Sequence, residues 1–255
     1  MEMHFDTSLA TCYKSGSQKT RVLSETWVTN HVFCPCCGNA HIKELKNNMP
    51  VADMKCDNCK EIFELKSQKG KIGKIIPDGA YHTMMQRISS ITNPDLFILQ
   101  YTPDYLVTDL TLIPKFFFVP GIIKKRKPLG PNARRAGWVG CNIMYDKIPE
   151  QGKIPIIRNS VFVDKELVID QYAKLKRIET NNIETRGWLF DVLNCVNSIQ
   201  KDVFSLKEMY TFADVLQDLH KDNHNIEAKI RQQLQYLRDK GFIEFLDRGT
   251  YRKIL

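Results

Sequence analysis

The chain has 255 residues, 43% hydrophobic and 26% charged, which is the make-up of a globular protein with room for two domains. No apolar run approaches the roughly 20 residues needed to cross a bilayer, and the start, Met1-Glu2-Met3-His4-Phe5-Asp6, lacks the basic-then-apolar pattern of a secretory signal, so a cytoplasmic location is expected. The formal charge of +8 is unevenly spread: residues 183–255 hold 11 basic and 11 acidic side chains, so the excess lies before them.

Near the start, metal chemistry comes first. Five of the eight cysteines fall between positions 34 and 59, where a disulfide framework is not expected of a cytosolic protein. Cys34-Pro35-Cys36-Cys37-Gly38 and Cys56-Asp57-Asn58-Cys59 are two C-x2-C knuckles separated by 18 residues, the spacing of a structural zinc ribbon. Cys34, Cys37, Cys56 and Cys59 would close the coordination sphere and leave no open position, with Gly38 and Asn58 suiting the two turns. Cys36 could replace Cys34 or Cys37, although only the 34/37 pair has the two-residue gap. Cys12, Cys141 and Cys195 are read as buried small hydrophobes.

Around the second knuckle stand Pro50-Val51-Ala52-Asp53 and Phe63-Glu64-Leu65-Lys66. On a strand, Glu64 and Lys66 share one face while Phe63 and Leu65 take the other. Two carboxylates and a lysine are the parts of a metal-assisted phosphodiesterase: the acids hold Mg²⁺, and the lysine orients the attacking water or helps to deprotonate it. E-x-K by itself says little, because a solvated edge pair would look the same and the triplet recurs here. Glu44-Leu45-Lys46 sits inside the zinc loop, and Glu227-Ala228-Lys229 lies on an expected helix, where residues i and i+2 do not share a face. Only the middle copy has an alternating strand and an upstream acid.

Between 122 and 138 come Lys124, Lys125, Arg126, Lys127, Arg134 and Arg135 with no acid. Pro128, Gly130 and Pro131 make this a loop, suited to contact with a polyanion. Trp138 at its end could stack on a base or instead anchor the loop in the core.

The last third reads as helix, helix, helix, hairpin. Gly187-Trp188 opens a helical pattern over Leu189, Val192, Leu193, Val196 and Ile199. Ser205 with Glu208 forms a capping box for the second helix. A third helix from about 225 to 240 buries Ile226, Ile230, Leu234 and Leu237, and Gly241 ends it. Two strands flank Asp247-Arg248-Gly249. This is the order of a winged helix-turn-helix, whose third helix would offer Asn225, Ala228, Lys229, Arg231, Gln232 and Gln235 to a DNA groove, with Ala228 or Tyr236 as candidate contacts for a methyl group. Residues 224–255 carry seven basic and four acidic side chains, which favours this half as the DNA-facing one.

Several long strings in order, namely Pro50-Val51-Ala52-Asp53, both knuckles, Phe63-Glu64-Leu65-Lys66-Ser67, Asp78-Gly79-Ala80-Tyr81, Ala133-Arg134-Arg135-Ala136-Gly137-Trp138, Thr185-Arg186-Gly187-Trp188 and Lys229-Ile230-Arg231-Gln232-Gln233-Leu234, resemble the DpnI-like methyl-directed restriction endonucleases over the whole chain. The resemblance implies a PD-(D/E)xK nuclease with an appended winged helix, cutting double-stranded GATC whose adenine is N6-methylated. It assigns Mg²⁺ to Asp53, Glu64 and the Leu65 carbonyl and catalysis to Lys66 as well, and it favours Trp138, next to Arg134 and Arg135 of the basic loop, as a DNA contact. Ala52 stands where the generic nuclease motif has proline.

The expected architecture is therefore an α/β restriction-endonuclease-like mixed sheet with the zinc ribbon (about 34–59) embedded in residues 1–182. A polar linker, Thr180-Asn181-Asn182, leads to the winged-helix domain, 183–255. The expected partner is methylated duplex DNA, with no membrane, no obligate protein partner and a monomer workable. The competing reading is a non-catalytic zinc-ribbon and winged-helix DNA-binding regulator, which has no reason to keep Asp53, Glu64 and Lys66 together.

Overall fold

The computed structural model describes residues 2–45, 52–90 and 93–254. Pro50 and Val51 of the expected nuclease motif, and Lys46 of the first E-x-K triplet, lie outside the described residues. Helix α1 (Gly16–His31) leads into the cysteine-rich segment, where short strands β1 (Lys43–Glu44) and β2 (Met54–Lys55) feed the long strand β3 (Ile62–Lys69). Then come β4 (Ile75–Ala80), α2 (Tyr81–Ile88), β5 (Asp95–Tyr101), β6 (Val107–Ile113), β7 (Ile123–Lys125), β8 (Gly140–Met144), β9 (Ile154–Arg158), β10 (Val161–Phe162) and α3 (Lys165–Lys176).

The main sheet is seven-stranded, in the order β1-β2-β3-β5-β6-β9-β10. Among the described residues only β3 and β5 run parallel in it, in register from Phe63 opposite Asp95 to Lys69 opposite Tyr101. A parallel pair needs a long crossover, and residues 70–94 supply it, carrying β4 and α2 away from the sheet and back. β5 reads Asp-Leu-Phe-Ile-Leu-Gln-Tyr and is buried at every position but Gln100, as a central strand covered on both faces must be. Phe63 and Phe97 stack at its middle, ring centroids 4.9 Å apart. A second sheet, β4-β8-β7, stands beside the first.

The basic segment is more ordered than an open loop. Lys124 and Lys125 belong to strand β7, paired with Asn142 and Cys141 of β8. The pairing continues as Arg126 N–H to Gly140 O (2.9 Å) and Leu129 N–H to Trp138 O (2.9 Å), so 126–138 is the tip of a hairpin.

The C-terminal domain contains α4 (Ile183–Ser198), β11 (Val203–Ser205), α5 (Leu206–Tyr210), α6 (Ala213–Leu219), α7 (Ile226–Asp239), β12 (Ile243–Asp247) and β13 (Thr250–Lys253), with a small sheet in the order β11-β13-β12. The helix expected to open at Gly187 begins four residues earlier, because Asn182 caps it: its side chain accepts from the Thr185 N–H at 2.8 Å. The Ser205–Glu208 capping box is present in both directions. Its helix stops after five residues and restarts as α6, so four helices stand where three were expected. Ile226, Ile230, Leu234 and Leu237 are buried on α7, together with Gln233. Gly241 follows with φ +80, a conformation that glycine takes without strain.

The two domains touch closely. Arg186 of α4, 7% exposed, donates to the carbonyls of Phe118 and Ile88 in the N-terminal domain. Asn197 and Gln151 exchange side-chain hydrogen bonds at 2.7 and 2.9 Å. Among the described residues no helix is long and apolar enough to cross a membrane.

Candidate active site

A four-cysteine cluster that could hold a metal is the first compact feature. The sulfurs of Cys34, Cys37, Cys56 and Cys59 all lie within 4.8 Å of one another, with Cys34–Cys59 at 3.6 Å and Cys37–Cys56 at 3.7 Å. A tetrahedral site with Zn–S bonds of about 2.3 Å has sulfur edges of about 3.8 Å, so the set fits zinc without rearrangement. Each knuckle closes the same way: Gly38 N–H donates to Cys34 O (2.8 Å), and Lys60 N–H to Cys56 O (3.0 Å). The residue after each fourth knuckle position has positive φ, +72 at Gly38 and +66 at Lys60. The special turn residue of the second knuckle is thus Lys60 and not Asn58. A Cβ at Gly38 would also stand 2.8 Å from Ile169 Cδ1 of α3. Cys36 lies outside this four-sulfur set, its thiol 3.8 Å from Asp95 Oδ2 and also beside the Cys34 thiol, so the geometry groups Cys34 and Cys37 with the second knuckle. Cys141 and Cys195 are buried as expected, but Cys12 is exposed, because it sits in a surface turn after the first helical turn of the chain.

Behind the ribbon is a buried polar knot. Asp95 accepts from the Tyr172 hydroxyl (2.8 Å) and the Lys115 N–H (2.7 Å), while Lys115 Nζ lies 2.7 Å from Glu61. Burial pushes the Asp95 carboxyl up to about 7, with Glu61 adding to the rise.

Asp53, Glu64 and Lys66 meet at the junction of β2 and β3. The Asp53 N–H donates to Phe63 O at 2.9 Å, and its Oδ2 accepts from the Leu65 N–H at 2.7 Å. Asp53 therefore grips both neighbours of Glu64 and stands beside it. Lys66 Nζ lies 2.7 Å from Glu64 Oε1, as their shared face requires. Phe63 is fully buried, whereas Leu65 is only partly so. The other two triplets make no such site: Glu44 sits on β1, and Glu227 and Lys229 are on α7.

Sequence reasoning missed further residues here. Asp78 of β4 puts Oδ1 2.7 Å from Lys66 Nζ, and Arg87 of α2 comes within 3.5 Å of Glu64 Oε2. Burial alone would lower the Lys66 proton affinity, but the Glu64 and Asp78 carboxylates outweigh it and hold the ammonium above the usual lysine range. Without a bound cation, both carboxylates thus favour the charged ammonium. Glu25 of α1, 6% exposed, is raised to about 7 by burial; Arg21 opposes the shift, while Asp53 and Glu44 add to it. Glu25, Leu65 and Lys66 line one cleft of about 470 Å³ with Ser17, Thr20, Arg21 and Ser24. Asp78 lies in a string already notable for its resemblance, but no spacing rule connects it to Lys66.

The candidate DNA contacts fall in two places. Arg134 and Arg135 are exposed on the hairpin tip. Trp138 is half-buried, with the Arg135 guanidinium 4.8 Å over its ring, and a Cβ at Gly140 would fall 2.8 Å from that ring. On α7 and its cap, Asn225, Ala228, Arg231, Gln232 and Gln235 are exposed. Lys229 instead lays its ammonium 5.6 Å over buried Trp188, and Tyr236 is half-buried under Lys240.

The sequence pattern of the DpnI, Dam-replacing, family matches residues 1–181, and that of the Dam-replacing HTH domain matches 184–253. The chain belongs to the DpnI family. At the level of the family it is a methyl-directed restriction endonuclease with a C-terminal helix-turn-helix DNA-binding domain. The four-cysteine cluster lies wholly inside the first match, and α7 with its exposed polar face inside the second.

Proposed function

We propose that the protein cleaves double-stranded DNA at GATC sites carrying N6-methyladenine, by Mg²⁺-dependent phosphodiester hydrolysis, as a site-specific type II deoxyribonuclease. The observation that carries this reading is the convergence of Asp53, Glu64 and Lys66, within a member of the DpnI family. Asp53 and Glu64, with the Leu65 carbonyl, would hold the cation; they are hard oxygen donors, which suit Mg²⁺. When bound, Mg²⁺ would polarise the scissile phosphate and stabilise the charge that develops there. Lys66, kept cationic by its neighbours, would orient the attacking water and meet the phosphate oxygens. Asp53 has one carboxylate oxygen committed to the Leu65 N–H, and the other would be the one to serve a cation.

The nuclease domain, 1–182, would supply Arg134, Arg135 and Trp138, and the winged-helix domain, 183–255, would read the groove with Asn225, Ala228, Arg231, Gln232 and Gln235. Lys229 joins them only by leaving Trp188. Zinc at Cys34, Cys37, Cys56 and Cys59 would have a structural task, since Cys56 and Cys59 lie between Asp53 and Glu64. The partner would be methylated duplex DNA in the cytoplasm, and two reading modules on one chain make a monomer workable.

The test is digestion of adenine-methylated and unmethylated plasmid, each with Mg²⁺ and with EDTA. Cleavage of the methylated plasmid alone, and only with Mg²⁺, is the expected result. Binding to methylated DNA without any nicking would favour the non-catalytic regulator.

A further inference from the structure

Asp78 is the acid in this cluster that the proposed metal set does not use. Its carboxylate, 6% exposed, lies 2.7 Å from Lys66 Nζ, and the same oxygen accepts from the Gly79 N–H at 2.7 Å, so the side chain is fixed in place. Asp78 does not belong to the sheet that bears Glu64 and Lys66. It comes from β4, where it pairs with Cys141 of β8, and β8 is the strand that leaves the basic hairpin two residues after Trp138.

Two carboxylates on one ammonium would be redundant if charge balance were the only need. The redundancy ends when a divalent cation binds. Glu64 would then turn its negative oxygens to the cation, and Arg87 already lies within 3.5 Å of the same carboxylate. Asp78 is the partner that stays, being held from a different sheet and by its own backbone contact. We infer that Asp78 is a positioning residue for Lys66: it keeps the ammonium aimed at the scissile phosphate while Glu64 is engaged by metal. It does so from the sheet that also carries the proposed DNA-contacting hairpin. The inference rests on the nuclease reading for its catalytic meaning, but the tether itself is a property of the protein without metal.

The experiment therefore has two arms. In the first, the metal-free protein labelled with ¹⁵N-lysine is observed by NMR, where an ammonium is visible when hydrogen bonds slow its exchange. The Lys66 signal, assigned by its absence in Lys66→Arg, should persist in Glu64→Ala and vanish in Glu64→Ala/Asp78→Ala, where neither position keeps an acceptor. Loss in Glu64→Ala alone, or persistence in the double variant, overturns the tether. Backbone amide spectra of each variant show whether it has folded, and Asp78→Glu, which keeps the charge, should retain the signal in the Glu64→Ala background.

In the second arm, single-turnover cleavage by Asp78→Asn should be about 100-fold slower, the size of effect expected when a catalytic group is misplaced by about 1 Å. DNA affinity measured with Ca²⁺ and Mn²⁺ affinity measured by electron paramagnetic resonance should stay unchanged. The loss should not add to that of Lys66→Ala, since both act through one group. Weakened Mn²⁺ binding would make Asp78 a metal ligand instead, and additive losses would separate it from Lys66. If the wild-type protein fails to cut methylated DNA, the nuclease reading falls, while the NMR arm still decides whether Asp78 holds Lys66.

Discussion

The Leu65 N–H donates to Asp53 Oδ2 at 2.7 Å, so the acid that precedes the second zinc knuckle is locked to the strand that follows it. One hydrogen bond thus joins the two halves of the proposed metal site across the four-cysteine cluster. Removing the carboxylate and removing the acceptor are separable. Asp53→Asn should abolish cleavage, by at least about 10³-fold, while stability stays within about 0.5 kcal/mol, because an amide oxygen still accepts from Leu65. Asp53→Ala should abolish cleavage and also cost about 1 kcal/mol, measured by urea unfolding, through the unpaired Leu65 N–H. Both should keep DNA binding. Cleavage by either variant would remove Asp53 from the site.

The sulfur geometry predicts one zinc per chain by elemental analysis, and the same value in Cys36→Ser, since that thiol faces Asp95. Cys56→Ser should lose zinc and cleavage together, even in excess Mg²⁺, because the turn that sets Asp53 against β3 loses its brace. A zinc-free protein with full activity would disprove the scaffold role.

Arg186 predicts coupled unfolding of the two domains. Arg186→Ala leaves the Phe118 and Ile88 carbonyls without their donor in a buried seam, a loss of about 3 kcal/mol. Calorimetry should show one transition in the wild type and two in the variant. A single unshifted transition in both would mean that the seam contributes nothing.

Asp95 predicts a pH trend. Its folded-state value, about 7, stands above the ordinary 3.8, so between about pH 4 and pH 7 the folded protein keeps a proton that the unfolded chain releases. Stability should therefore fall as pH rises through that window and level off above it. Asp95→Asn should flatten the trend, leaving the smaller part that Glu25 contributes in the same direction. Melting temperatures across that range, in zinc-saturated buffer, measure it; an unchanged slope would mean that Asp95 ionises normally.

What could be read from the chain was local. The C-x2-C knuckles and the Ser205–Glu208 box are set by spacings of a few residues, and the α7 stripe by helical period, so each is found where it was expected. The alternation of Glu64 and Lys66 holds for the same reason. What escaped depends on chain crossings. β5 is covered on both faces and shows no alternation, and its one charged residue, Asp95, stands in no motif that would single it out. Asp78, Arg87 and Glu25 reach the site from three different elements, so no motif contains any of them with its partner. Asn182, read as linker, is a helix cap, because a polar residue before a helix looks the same in either role.

The Arg186 seam also bears on how such an enzyme could be re-engineered. The C-terminal domain is not an interchangeable cassette joined by a tether: its first helix is plugged into the carbonyls that end α2 and follow β6. A chimera that exchanges the winged helix for that of a relative must graft the start of α4 together with its two receiving turns. Otherwise a new specificity would arrive on a domain that no longer docks.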